Sequence, residues 1–219
     1  MSKPVIAVVG AGPGVGLAVA RRFTREGFRV ALIARRPEAL DEYVDELQRG
    51  GAEAHGFPAD AADEGSLRQA FADIKARLGA PSVLVYNAAV LRQNRPSELP
   101  VQDLLYDFRV NVAGALVAAQ AVLPDMRAHK QGTILFTGGG LALTPFPTVA
   151  SLSLGKAAIR NLTFSLGAEV EPDGIQVATV TICGYVKPGS HFDPDRIADA
   201  YWTLHTQEPG KREREIVYK

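Results

Sequence analysis

The stretch VIAVVGAGPGVGLAVA, residues 5–20, constrains the fold of this chain more than any other. Its first residues, VIAVV, are continuously apolar and largely β-branched, as a central strand buried on both faces requires. The following GLAVARRFTREG has helical period, with Gly27 as a stop. Gly10 to Gly16 must therefore form a strand-to-helix turn, with glycine at 10, 12, 14 and 16 around Pro13 and Val15. Such a turn lets the backbone approach a pyrophosphate closely, while the helix N-terminus offers free N–H groups and a partial positive charge. A phosphate-bearing ligand is expected here.

The pattern then repeats. FRVALIA, AEAHGF, SVLVYNA, GTILFTG and IQVATVTI are each followed by a longer stretch of different period, and REIVY reads as a last strand. This alternation predicts a parallel sheet with helices on both faces. The longest helical candidates run from Val101 to His129 and from Thr148 to Glu171. No linker, composition shift or repeat divides the 219 residues, 47% of them hydrophobic, so one domain over 1–219 is expected.

With 24 basic and 24 acidic residues there is no global electrostatic case for nucleic acid or an acidic membrane. The basic cluster KRER, 211–214, contains a glutamate and reads as a solvated edge. No run approaches the roughly 18 apolar residues of a membrane span. The N-terminus runs straight into the first strand, leaving no room for a signal peptide, and Cys183 is alone. A cytoplasmic protein without a metal site is expected. Arg35 and Arg36 close the second strand, where an NAD site usually carries an acidic residue for the ribose 2′-hydroxyl. Arginine suits a 2′-phosphate instead, so NADP(H) is expected over NAD(H).

Several motifs in register resemble the short-chain dehydrogenase/reductase family, from about residue 4 to 186. The spacing GxxxGxG at Gly10, Gly14 and Gly16 is that family's form. Asp60, followed by Ala61, stands where the family contacts adenine. YNAA, 86–89, is similar to the family's NNAG and supplies Asn87 and Ala88. NVAG, 111–114, matches the motif of the active-site Asn, here Asn111, and GKAA matches SKAA and fixes Lys156. The resemblance implies a Rossmann-like, doubly wound parallel sheet of about seven strands, order 3-2-1-4-5-6-7, in three α/β/α layers.

It also implies a tetrad of Ser, Tyr, Lys and Asn. Tyr is the proton donor or acceptor, Lys lowers its pKa and holds the nicotinamide ribose, Ser positions the carbonyl oxygen, and Asn links Lys to a water relay. Four residues before Lys156 is Leu152, and thirteen before that is Gly139. None of the six tyrosines has Lys four residues later. Losing a positioned general acid costs roughly 10² to 10⁴ in rate, so ordinary carbonyl reduction is expected to be slow.

Tyr86, Tyr185 and His191 are candidate replacement acids. Ser151 and Ser153 flank Leu152 but point about 100° away, and Thr148 lies a turn earlier on its face. Cys183-Gly184 replaces the family's PG, and the backbone near Val186 is expected to meet the nicotinamide carboxamide. Residues 185–213 make a short substrate-covering insertion, leaving that side open. Two functions follow: an NADP(H)-dependent oxidoreductase with an atypical acid and an unidentified small-molecule substrate, or a non-catalytic NADP(H)-binding protein. The family's two long helices usually meet a second subunit, which implies a homodimer or homotetramer.

Overall fold

A computed structural model describes residues 3–219. Seven strands form one sheet: β1 (Val5–Val9), β2 (Arg29–Ala34), β3 (Ala54–Pro58), β4 (Val83–Tyr86), β5 (Gly132–Thr137), β6 (Ile175–Ile182) and β7 (Glu215–Tyr218). All neighbours are parallel, in the order 3-2-1-4-5-6-7. The helices are α1 (Val15–Thr24), α2 (Pro37–Arg49), α3 (Glu64–Leu78), α4 (Val101–Phe108), α5 (Gly114–His129), α6 (Ala150–Val170) and α7 (Pro194–His205).

Side chains alternate between faces along a strand, so β1 feeds two cores. Val5, Ala7 and Val9 pack towards α3, α5 and α6, whereas Ile6 and Val8 pack towards α1, α2 and α7. The strand order reverses between β1 and β4, which opens a crevice at the C-terminal ends of the strands. The glycine turn, Arg35, Asp60, Asn87, Gly139 and Val186 each follow the C-terminal end of a strand.

Three sequence expectations need correction. The predicted helix 101–129 is divided: α4 and α5 are joined by a π-helical segment, Arg109–Ala113, with Asn111 at its centre. Such wide turns concentrate at functional sites, and no hydrophobic period announces them. The predicted helix 148–171 begins only at Ala150, because Val149, at φ −135 and ψ 51, is not helical, and it ends at Val170. Thr148 is thus outside the helix and exposed.

The third concerns residues 185–213, expected to be a short cover. Most of this segment is α7 and its loops, and α7 packs on α1 on the far side of the sheet. Phe23 and Phe28 meet Trp202 there at ring distances of 5.2 and 6.2 Å. What remains at the sheet edge after β6 is the connection 183–193. No helix among the described residues is long and apolar enough to cross a membrane.

Candidate functional site

The glycine turn is built against β4. Gly10 has φ +84, and a side chain there would run into the backbone of Ala88. A Cβ on Gly16 would fall 2.6 Å from the Gly10 carbonyl oxygen and 3.1 Å from Asn87 Nδ2. Both glycines are therefore required by the protein itself. Gly12 and Gly14 are different, since a Cβ at either would meet nothing within 4 Å. Space is left above the turn, and no side chain caps the α1 N-terminus below it. Free N–H groups facing open space fit a phosphate.

The turn forms one wall of a cleft of about 630 Å³. Its lining includes Gly10, Gly12, Pro13, Arg35, Arg36, Asp60, Ala61, Asn87 and Ala88, all expected from the sequence. Ile33, Tyr43, Ala59 and Val110 also line it and carried no motif by which to find them. Gly14, Val15 and Gly16 stand beside the cleft as the start of α1. Arg35 and Arg36 are exposed at its mouth, and Arg35 Nη1 lies 3.4 Å from the Tyr106 hydroxyl of α4. Asp60 Oδ1 accepts from the Ala62 N–H at 2.9 Å, which fixes the carboxylate at the end of β3.

Lys156, Asn111, Gly139, Leu152 and Val186 lie outside that cleft. Lys156 Nζ donates to the Thr137 carbonyl at 2.6 Å. Removal from solvent pushes its pKa down to about 8, so at neutral pH it is still mostly protonated. A Cβ on Gly139 would lie 3.4–3.5 Å from Cγ, Cδ and Cε of Lys156, an ordinary packing distance. Leu152 is buried, 7% exposed, one turn before Lys156. Asn111 Oδ1 accepts from the Val90 N–H at 2.7 Å. Its Nδ2 is buried and, among the described residues, has no partner. Gly155 permits this closeness of α6 to the π segment, for a Cβ there would fall 2.9 Å from Asn111 Cβ.

The candidate replacement acids are mostly committed elsewhere. The Tyr86 hydroxyl donates to the Val110 carbonyl at 2.5 Å, and burial raises its pKa well above the ordinary value. Ser151 Oγ donates to Asp107, and Ser153 Oγ donates to the Val149 carbonyl. The His191 ring is held at the Lys219 carbonyl and stacks on Tyr218. Among the described residues, Tyr185, 84% exposed in the connection after β6, and the exposed Thr148 make no such bond. Val186, half-buried, packs on the α1/α7 core.

Sequence reasoning missed a clamp at the start of α6. Arg92, in the β4–α4 connection, grips the fully buried Asp107 through two bonds of 3.0 Å, and Asp107 also accepts from Ser151 at 2.7 Å. The clamp ties that connection to the first turn of α6. These residues are 15 and 44 positions apart, so no local motif brings them together. No group of three or more His, Cys, Asp or Glu among the described residues could hold a metal ion.

The parallel sheet, the switch point and the glycine turn define a doubly wound α/β protein of the dinucleotide-binding kind. A model of the short chain dehydrogenase family matches residues 4–193, and the chain belongs to that family. A 2,3-dihydro-2,3-dihydroxybenzoate dehydrogenase of Bacillus subtilis (strain 168) is 31% identical over 203 residues, covering 93% of this chain and 74% of that protein. A metagenomic short-chain oxidoreductase in complex with NADP superposes with TM-score 0.89 and 28% identity, over 99% of this chain and 96% of that one. An alcohol dehydrogenase from the archaeon Thermococcus sibiricus, complexed with 5-hydroxy-NADP, gives TM-score 0.88 and 26% identity, over 100% and 98% of the two chains.

Proposed function

We propose that this protein is an NADP(H)-dependent oxidoreductase in which Gly139 and Leu152 occupy the usual serine and tyrosine positions. The observation that carries the reading is the cleft that joins the open glycine turn to two exposed arginines and Asp60. The dehydrogenase and oxidoreductase names of its relatives, and the NADP in two structural neighbours, support it. When bound, the nicotinamide supplies or accepts a hydride.

The remaining work falls to the chain. The turn and the α1 N-terminus bind phosphate, Arg35 and Arg36 bind a 2′-phosphate, and Asp60 meets the adenine. Lys156 Nζ binds ribose hydroxyls and holds a proton on that face. Leu152 offers the substrate an apolar contact and no proton. The reading therefore favours a small-molecule substrate that depends little on a donated proton, such as an activated double bond.

A second reading, a non-catalytic NADP(H) sensor or partner subunit, draws on the same Gly139 and Leu152 and on the commitment of Tyr86, Ser151 and His191 to other bonds. Turnover abolished by Lys156→Ala would refute it. A broad panel of carbonyls and enones that leaves bound NADPH unoxidised would refute the first.

The first experiment is a fluorescence titration with NADPH and, in parallel, NADH. NADPH is expected to bind at least about tenfold more tightly, and an Arg35→Ala, Arg36→Ala double variant to lose that preference. If neither dinucleotide binds, both readings fall.

A further inference from the structure

Three side chains form a continuous hydrogen-bond chain from α7 to the glycine turn, ending on the Gly10 carbonyl. The Tyr201 hydroxyl lies 2.7 Å from Thr137 Oγ1, Thr137 Oγ1 lies 2.9 Å from Asn87 Oδ1, and Asn87 Nδ2 donates to the Gly10 carbonyl at 2.9 Å. The direction of every proton follows. Gly10 offers only an acceptor, so Asn87 must turn its amide NH₂ towards the turn and its oxygen towards Thr137. Thr137 then spends its one proton on Asn87, and Tyr201 must donate to Thr137. The carbonyl of the same Thr137 accepts from Lys156 Nζ. One residue at the end of β5 thus faces both the turn and the lysine.

Tyr201 is fully buried, and burial raises its pKa despite the Thr137 bond, so the chain does not lose its proton in the ordinary pH range. Gly16, whose missing Cβ would crowd Asn87 Nδ2, leaves the amide the room this orientation needs. The family motifs quoted from the sequence include Asn87 and Lys156 but neither Thr137 nor Tyr201.

We propose that Thr137, oriented by Tyr201, is a positioning residue for the dinucleotide. It holds the Asn87 amide against the turn carbonyl and presents its own carbonyl to Lys156, so that the pyrophosphate and ribose sites keep a fixed separation. The proposal rests on the cofactor reading above. It assigns α7, on the far side of the sheet, a role in cofactor affinity.

The test compares Thr137→Val, which keeps the shape and removes the hydroxyl, with Thr137→Ser, which restores it. NADPH and adenosine 2′-phosphate are titrated into each, the latter reaching only the Arg35, Arg36 and Asp60 end. Thr137→Val is expected to weaken NADPH by about tenfold and leave adenosine 2′-phosphate unchanged, with Thr137→Ser within about twofold of the natural protein. Equal losses for both ligands in Thr137→Val would reveal a merely structural lesion and overturn the proposal. So would unchanged NADPH binding. If Thr137→Val does not fold, Tyr201→Phe carries the test, with a loss of about fivefold for NADPH alone expected and no loss overturning it. A natural protein that binds adenosine 2′-phosphate and NADPH establishes the cofactor reading independently of the variants; one that binds neither removes both.

Discussion

On the proposed reading, two positions decide what chemistry is available beside Lys156. Gly139 sets no side chain against its aliphatic stem, and Leu152 places a branched hydrocarbon one helical turn away. A Cβ on Gly139 would sit at ordinary contact distance from that stem, with no backbone closer, so a side chain can start there. The double variant Gly139→Ser, Leu152→Tyr is therefore expected to retain NADPH binding and to reduce simple carbonyls at least about 10²-fold faster than the natural protein. The two changes need not contribute independently, since groups that act as a unit are not additive. The check is cofactor absorbance over a panel of aldehydes and ketones. A variant that binds NADPH and shows no gain would mean that Leu152 does not occupy the position of the missing phenol.

Among the elements, α7 makes the most specific statement about stability. His205 lies in its last turn, against Phe23 and Phe28 at 5.4 and 5.6 Å, with Nδ1 3.0 Å from the Thr133 hydroxyl. Burial, and secondarily Arg212, push its pKa down to about 4, so the folded protein holds the neutral ring. Below about pH 6.5 the unfolded chain takes up a proton that the folded chain refuses, so stability falls as pH drops from there and levels off below about 4. With allowance for its partial exposure this amounts to on the order of 2 kcal/mol. In urea unfolding at pH 7 and pH 4.5, His205→Phe should narrow the stability difference by about that much. An unchanged difference would show that the ring is protonated in the fold.

The same element shows where sequence reading stopped. The seven strands were legible because buried parallel strands are short apolar runs, and α1 because a glycine turn precedes it. The helix α7 carries a legible start, Asp193 accepting from Asp195 N–H with Pro194 at the first position, but family resemblance directed attention to a substrate cover instead. The π segment had no such signal, since a shift in backbone pairing leaves the side-chain pattern almost unaltered. Of the site, the glycine turn, Arg35, Arg36 and Asp60 follow one strand or helix end and could be read locally. Thr137, Tyr201 and the Arg92–Asp107–Ser151 clamp could not, because each bond joins distant parts of the chain.

For the whole molecule, the decisive feature is that α6 is apolar on both sides. Ile159, Leu166 and Val170 face the core, and Leu154 and Phe164 face out. Large apolar side chains on the solvent face of a helix, opposite its core face, favour a second contact there. α4, which packs directly on α6, continues the surface with Leu105 and Phe108 exposed, and α5 adds the exposed Leu116. A patch of this kind, spread over neighbouring helices, marks an interaction surface. Zero net charge offers no repulsion to a second copy of the chain. We therefore predict a dimer or tetramer at micromolar concentration by light scattering. In a twofold assembly each exposed residue near the axis faces its own counterpart, so Leu105→Glu, Leu154→Glu would bring like charges together and give a folded monomer. A natural protein already monomeric at that concentration would sink the prediction. A double variant that stays assembled would move the interface to another face.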